Sequence, residues 1–144
     1  MPANLLFLTE LMGMRVYDLK GRRIGRVRDA AVSPSVDRFR VDQYLVGGEW
    51  NWWMIRHDQV SSISLDGISL RDEQLVPYHD DVWTLRMRRD LLDQQIIDSK
   101  GRKVVRVSDV PFELKRLNGH DELHVLEVDV GMRNIFRRLC EGLV

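Results

Sequence analysis

Short apolar runs alternate with turn-forming residues along most of this chain. Arg15-Val16-Tyr17 and residues 24–32 flank Asp18-Leu19-Lys20-Gly21, and Asp at the first position with Gly at the fourth is the preference of a type I turn. The pattern predicts an antiparallel hairpin there, with Gly25 marking a bulge or bend in its second strand. Pro34-Ser35-Val36-Asp37 predicts a turn, residues 39–46 a strand, Gly47-Gly48-Glu49 another turn and residues 52–55 a buried strand. Residues 62–70 alternate cleanly across Asp66-Gly67, a strong local hairpin signal. Further on, residues 82–85 predict a short strand, 88–92 at most one helical turn, Asn118-Gly119 a turn, and 123–130 a strand with Leu126, Val128 and Val130 on one face. The period changes only at the end. Met132, Ile135, Phe136, Leu139, Cys140 and Leu143 fall on one helical stripe, with Arg133, Arg137 and Arg138 on the polar side. Many short strands at close spacing predict a mainly β fold built from small barrels, finished by a C-terminal amphipathic helix.

The first hairpin returns. Residues 11–29 align with 91–109 at a constant offset of 80, without a gap. Asp18, Lys20, Gly21, Arg22, Arg26, Val27 and Asp29 recur as Asp98, Lys100, Gly101, Arg102, Arg106, Val107 and Asp109, seven identities in twelve positions, which identifies a duplicated unit. Val105 replaces Gly25 in the second copy, which is expected to bend differently. That copy also lacks a counterpart of the Trp-rich strand and of the Asp66-Gly67 hairpin. Two unequal units are expected, a complete one over 1–78 and a shorter one over 79–144, sharing an apolar interface because neither is large enough to stand well alone.

These residues resemble a known family, the PRC-barrel. The resemblance rests on Asp18-x-x-Gly21-x-x-x-Gly25-x-Val27-x-Asp29, followed by a segment like Ile55-Arg56-His57-Asp58-Gln59-Val60; Arg56 and His57 stand where many relatives carry Pro and Trp. It implies two small antiparallel barrels in tandem, with Asp18, Gly21, Gly25, Asp29, Asp98, Gly101 and Asp109 as structural motif residues. The tandem arrangement is also similar to the N-terminal region of bacterial proteins related to MgtE-type magnesium transporters. That likeness implies a regulatory module acting by protein contact, with a membrane transporter or a magnesium-sensor region as partner. The ribosome-maturation factor RimM carries the same barrel and implies the alternative, an RNA- or ribosome-associated assembly module. The family brings no catalytic residue and no cofactor.

Composition narrows the chemistry. Lys and Arg together number 22 and so do Asp and Glu, so the net charge gives no general attraction to nucleic acid or anionic lipid, and only a local basic patch could supply one. The single cysteine, Cys140, forms no internal disulfide and sits on the apolar stripe of the predicted helix. The N-terminus lacks the pattern of a signal peptide, and no stretch approaches the length of a spanning helix, so a cytoplasmic chain without membrane insertion is expected.

His120-Asp121-Glu122-Leu123-His124 would place two histidines on one face of a helix, the spacing of a zinc site. Here the segment runs from Asn118-Gly119 into a strand, so no metal ligand is assigned. His57-Asp58 and His79-Asp80-Asp81 read as surface polar pairs. Asp29 and Asp109 read as ion-pair partners of Arg26, Arg28 and Arg106 rather than as Mg²⁺ ligands. With no catalytic constellation, a non-enzymatic role is expected. Trp50, Trp52 and Trp53, with Arg56, are the candidate partner-binding residues; of Trp52 and Trp53, one should enter the core and one point outward, where packing against the second unit is favoured over a partner-binding anchor. A homodimer is compatible with that face.

Overall fold

The computed structural model describes residues 4–80, 84–97 and 104–126. Within them the protein is mainly β, as the alternation predicts. Strands β2 (Arg15–Tyr17), β3 (Arg23–Val32), β4 (Gln43–Gly47) and β5 (Trp52–Arg56) form an antiparallel meander. A short 3₁₀ turn, His57–Gln59, leads into β6 (Val60–Ser64), which pairs with β7 (Gly67–Leu70); β7 then lies parallel to β2. β8 (Val76–Pro77) extends the β5 edge.

The turns show how local chemistry sets this path. The Asp18 carboxylate accepts the N–H groups of Lys20 and Arg22, while Gly21, at φ +76°, donates to the Asp18 carbonyl. This closes the expected Asp-x-x-Gly turn, with the left-handed residue that only glycine adopts freely. Leu65 and Asp66 make the turn between β6 and β7, so Gly67 opens the second strand. A Cβ on Gly67 would lie 2.7 Å from the Tyr17 ring. In β3 the register slips twice, around Ile24 against β2 and around Arg28 against β4. Gly25 lies between the two bulges, where a Cβ would meet the Gly47 carbonyl oxygen at 2.7 Å. It is a site of close backbone approach as well as of bending.

The rest of the described chain comprises β9 (Leu85–Arg86), a π-type turn over Met87–Leu91, and strands β10 (Gln95–Ile97), β11 (Val104–Arg106), β12 (Pro111–Leu117) and β13 (His120–Val125). Asn118 and Gly119 both have positive φ, the signature of the two-residue turn that joins β12 to β13. The strand expected over 123–130 therefore begins earlier, at His120. Residues 127–144, and with them the predicted C-terminal helix and Cys140, lie outside the described residues, as do Asp98 and Gly101.

Contacts at the offset of 80 repeat between the two halves. Val27 donates to the Met14 carbonyl as Val107 does to Gln94, and Gly13 donates to Val27 as Asp93 does to Val107. The segments that lead into these hairpins are exchanged. β1 (Leu5–Phe7) pairs with β12 of the other half, while β9 pairs with β3. The helical turn α1 (Leu8–Leu11) follows β1, and Leu8 donates its N–H to Val110. Each half thus lends its first strand to its neighbour. Leu6, Leu8, Leu11, Leu85, Met87 and Leu91 all enter one continuous core with Val16, Val46, Ile55, Ile68, Val107 and Phe112.

The expected closure into barrels is not observed among the described residues. The ladder runs β6-β7-β2-β3-β4-β5-β8, and its two ends do not pair with each other. β13 instead comes in beside this gap. Val41 donates to Leu123, Val125 to Phe39, and Ile63 to the Asp121 carboxylate. One layer from the second half covers an opening that hydrogen bonds within the first leave unpaired.

Candidate functional site

The tight turn between β4 and β5 pairs Gly47 with Trp52. A Cβ on Gly47 would lie 2.5 Å from the indole nitrogen of Trp52 and 3.0 Å from Cγ of Arg28. The missing side chain is the space in which the indole and the Arg28 stem meet. Trp52 is 39% exposed and Trp50, on the turn itself, is 90% exposed. Trp53 lies on the opposite face of β5 and packs against the core, as strand alternation requires. The Trp52 ring leans on Tyr78, 6.0 Å between centroids, and the guanidinium of Arg86 lies 5.5 Å over the Tyr78 ring.

Beside the two outward tryptophans is a cleft of about 280 Å³ lined by Arg23, Arg26, Arg28, Gly25, the Gly47-Gly48 turn and Glu49. Arg26 donates to the Gly13 carbonyl and Arg28 to that of Gly47. Among the described residues no carboxylate forms an ion pair with any of these three arginines. Three arginines against one carboxylate, Glu49, thus give the cleft a local excess of positive charge beside Trp52, in a chain of zero net charge. Of the four expected partner-binding residues, Trp50 and Trp52 gather here, while Trp53 turns inward. Arg56 lies at the far end of β5 with its guanidinium on Asp58. Of the arginines that do face the cleft, Arg26 and Arg28 were legible only as neighbours of Asp29, and Arg23 was not singled out. The register pairing Arg26 with Gly47 is what carries them to the tryptophans.

Asp29 itself points away from that cleft chemistry. It is 1% exposed and accepts the N–H groups of Ala30, Arg88 and Arg89, with the Arg86 guanidinium at 3.2 Å. Its ion partner is thus Arg86, not Arg26, Arg28 or Arg106. At the equivalent position Asp109 accepts the N–H of Val110 and both the N–H and the hydroxyl of Thr9. Both aspartates cap the exchanged segment of the other half.

The histidines divide. His79 is exposed. His57, expected as a surface residue, is half-buried and reaches across to Glu122, with Nδ1 3.2 Å from Oε1. His120 and His124 do not lie on a helix, but the period of two along β13 puts His120, Glu122 and His124 on one face. His120 Nε2 is 2.9 Å from Glu122 Oε1 and His124 Nε2 is 3.1 Å from Oε2. Burial would raise the Glu122 carboxyl, but the hydrogen bonds from His124 and His120 and the charges of His57 and His120 outweigh it and hold the group below the usual range.

No known family model matches the chain. It is 36% identical over 45 residues to the ribosome maturation factor RimM of Caldicellulosiruptor bescii, a stretch that covers 31% of this chain and 27% of that protein. The match thus spans about a quarter of the relative's length. Among the described residues no helix is long and apolar enough to cross a membrane.

Proposed function

We propose that this chain is a non-catalytic, cytoplasmic binding module of tandem PRC-barrel type, acting in ribosome-associated assembly by holding RNA at the cleft beside Trp50 and Trp52. One observation carries the reading: two exposed indoles stand next to three arginines that lack carboxylate partners among the described residues. Aromatic faces stack bases without demanding a sequence, and guanidinium groups bind phosphate in a fixed, bidentate geometry. The limited likeness to RimM supports the same reading and goes no further than the matched stretch. Neither the fold nor that relative bears on the expected link to magnesium transport.

A fluorescent single-stranded RNA titrated with the chain over a salt series tests this. Three phosphate contacts predict that log K falls against log salt with a slope of about −2. Trp50→Ala should weaken binding by about 1–3 kcal/mol, the range of one stacked base. Arg28→Ala should flatten the slope by nearly one contact. Absence of RNA binding, or binding indifferent to both substitutions, overturns the proposal. The same tryptophans could anchor a protein, as the regulatory reading expects. A protein complex lost in Trp52→Ala but almost insensitive to salt would favour that reading instead.

A further inference from the structure

Three imidazoles converge on one buried carboxylate at the seam between the halves. His57 comes from the 3₁₀ turn after β5, while His120, Glu122 and His124 come from one face of β13. The donor atoms of His57, His120 and Glu122 all lie within 4.8 Å of one another. We propose that these three residues form a binding site for a divalent transition-metal ion of the zinc type, with His124 orienting the carboxylate from its far side.

The donor set is the first argument. Two neutral imidazole nitrogens and one carboxylate oxygen suit Zn²⁺ and its neighbours, whereas Mg²⁺ and Ca²⁺ prefer oxygen alone. The spacing is the second. Metal bonds of about 2.0–2.1 Å in a tetrahedron put neighbouring donors roughly 3.3 Å apart. The two nitrogen–oxygen edges at Glu122 Oε1 are 2.9 and 3.2 Å. The third edge, between the His57 and His120 nitrogens, is no longer than 4.8 Å, so a closure of at most about 1.5 Å completes the triangle. Glu122 would bind through Oε1 while Oε2 stays on His124 Nε2, and an outer hydrogen bond of this kind commonly fixes a ligating carboxylate.

The surroundings are the third argument. Buried polar groups are ordinarily paired, yet Nδ1 of His120 and the hydroxyl of Tyr44 are both buried without a hydrogen-bond partner. Burial, then the charges of Glu122 and Asp121, push the Tyr44 phenol far above its ordinary value. Hydrogen bonding to Glu122 explains one nitrogen of each imidazole. A cation there would offset the buried negative charge of Glu122.

The test uses the untagged full chain, stripped with a chelator and titrated with Zn²⁺ by calorimetry and with Co²⁺ by visible absorption. One ion per chain is expected, with cobalt bands of low-coordinate type and a rise in melting temperature on adding zinc. His57→Ala should weaken binding at least tenfold and abolish the thermal shift, and His124→Ala should weaken it by about 10-fold. His79→Ala, distant from the cluster, should bind as the unaltered chain does. His57 is half-exposed on a turn, so its variant decides the matter even if His120→Gln fails to fold. The proposal is overturned if the folded chain takes up no ion at one per chain, or if His57→Ala binds as tightly as the unaltered protein.

Discussion

At the scale of single residues, Asp29 does more than its place in a turn-and-strand motif suggests. Its carboxylate takes three backbone N–H groups and one guanidinium, two of the N–H groups and the guanidinium coming from residues 86–89. Asp29→Ala would take the ion-pair partner from the Arg86 cation, 15% exposed, and this acceptor from three amides. Removing one partner of a buried pair costs about 3–5 kcal/mol. Asp109→Ala loses the N–H and hydroxyl of Thr9 in a more exposed setting and should cost about 1 kcal/mol. Urea denaturation of the two variants checks the difference; equal losses would mean that burial at Asp29 adds nothing. The cleft shows the same dependence on single positions. With a Cβ at Gly47, Trp52 and Arg28 could not share one space.

At the scale of elements, the exchanged lead-in turns carry their own electrostatics. Asp90 accepts the N–H of Arg86 and both Nε and Nη2 of Arg89. Burial alone would raise its carboxyl, but the Arg89 hydrogen bonds, the Arg86 N–H and the charges of both arginines prevail and hold it below the ordinary range. A carboxylate depressed on folding stabilises the fold above its unfolded pKa of about 3.9, and that stability is lost as pH falls through the lower, folded value. Asp90→Asn should therefore lower the melting temperature at pH 6, and by progressively less as pH falls below about 3.9, which thermal scans over a pH series will show. Elements of this kind were legible to different degrees. The Asp18 and Asn118 turns were written in neighbouring residues, and the structure places turns at both. The exchange of β1 and β9 was not, because its partners are separated by about a hundred residues in one case and fifty in the other. The histidine cluster was hidden for two reasons. His120 and His124 have helical spacing but occupy a strand, and His57, which completes the group, is 65 positions away from Glu122.

At the scale of the whole molecule, the exchange decides how the protein should unfold. If each half closed on itself, the second could melt while the tryptophans of the first still reported a native environment. Instead Leu6, Leu8 and Leu11 of the first half are buried in the same continuous core as Val107, Val110 and Phe112, while Leu85, Met87 and Leu91 join it beside β3. Loss of the second half would uncover β3 and the edge at β6 together, so neither half is expected to populate a stable state of its own. Denaturation followed by tryptophan fluorescence, which reports mainly on Trp50, Trp52 and Trp53, should coincide with denaturation followed by far-ultraviolet circular dichroism. Leu11→Ala empties a fully buried position and should cost about 2–5 kcal/mol. Because that side chain belongs to the shared core, both probes should shift by the same amount, although the substitution lies far in sequence from either strand of the β12–β13 hairpin. Midpoints that separate in the variant would show that the halves are joined in geometry but not in energy. Coincident midpoints would make the exchanged strands the reason a chain of two small repeats behaves as one cooperative unit.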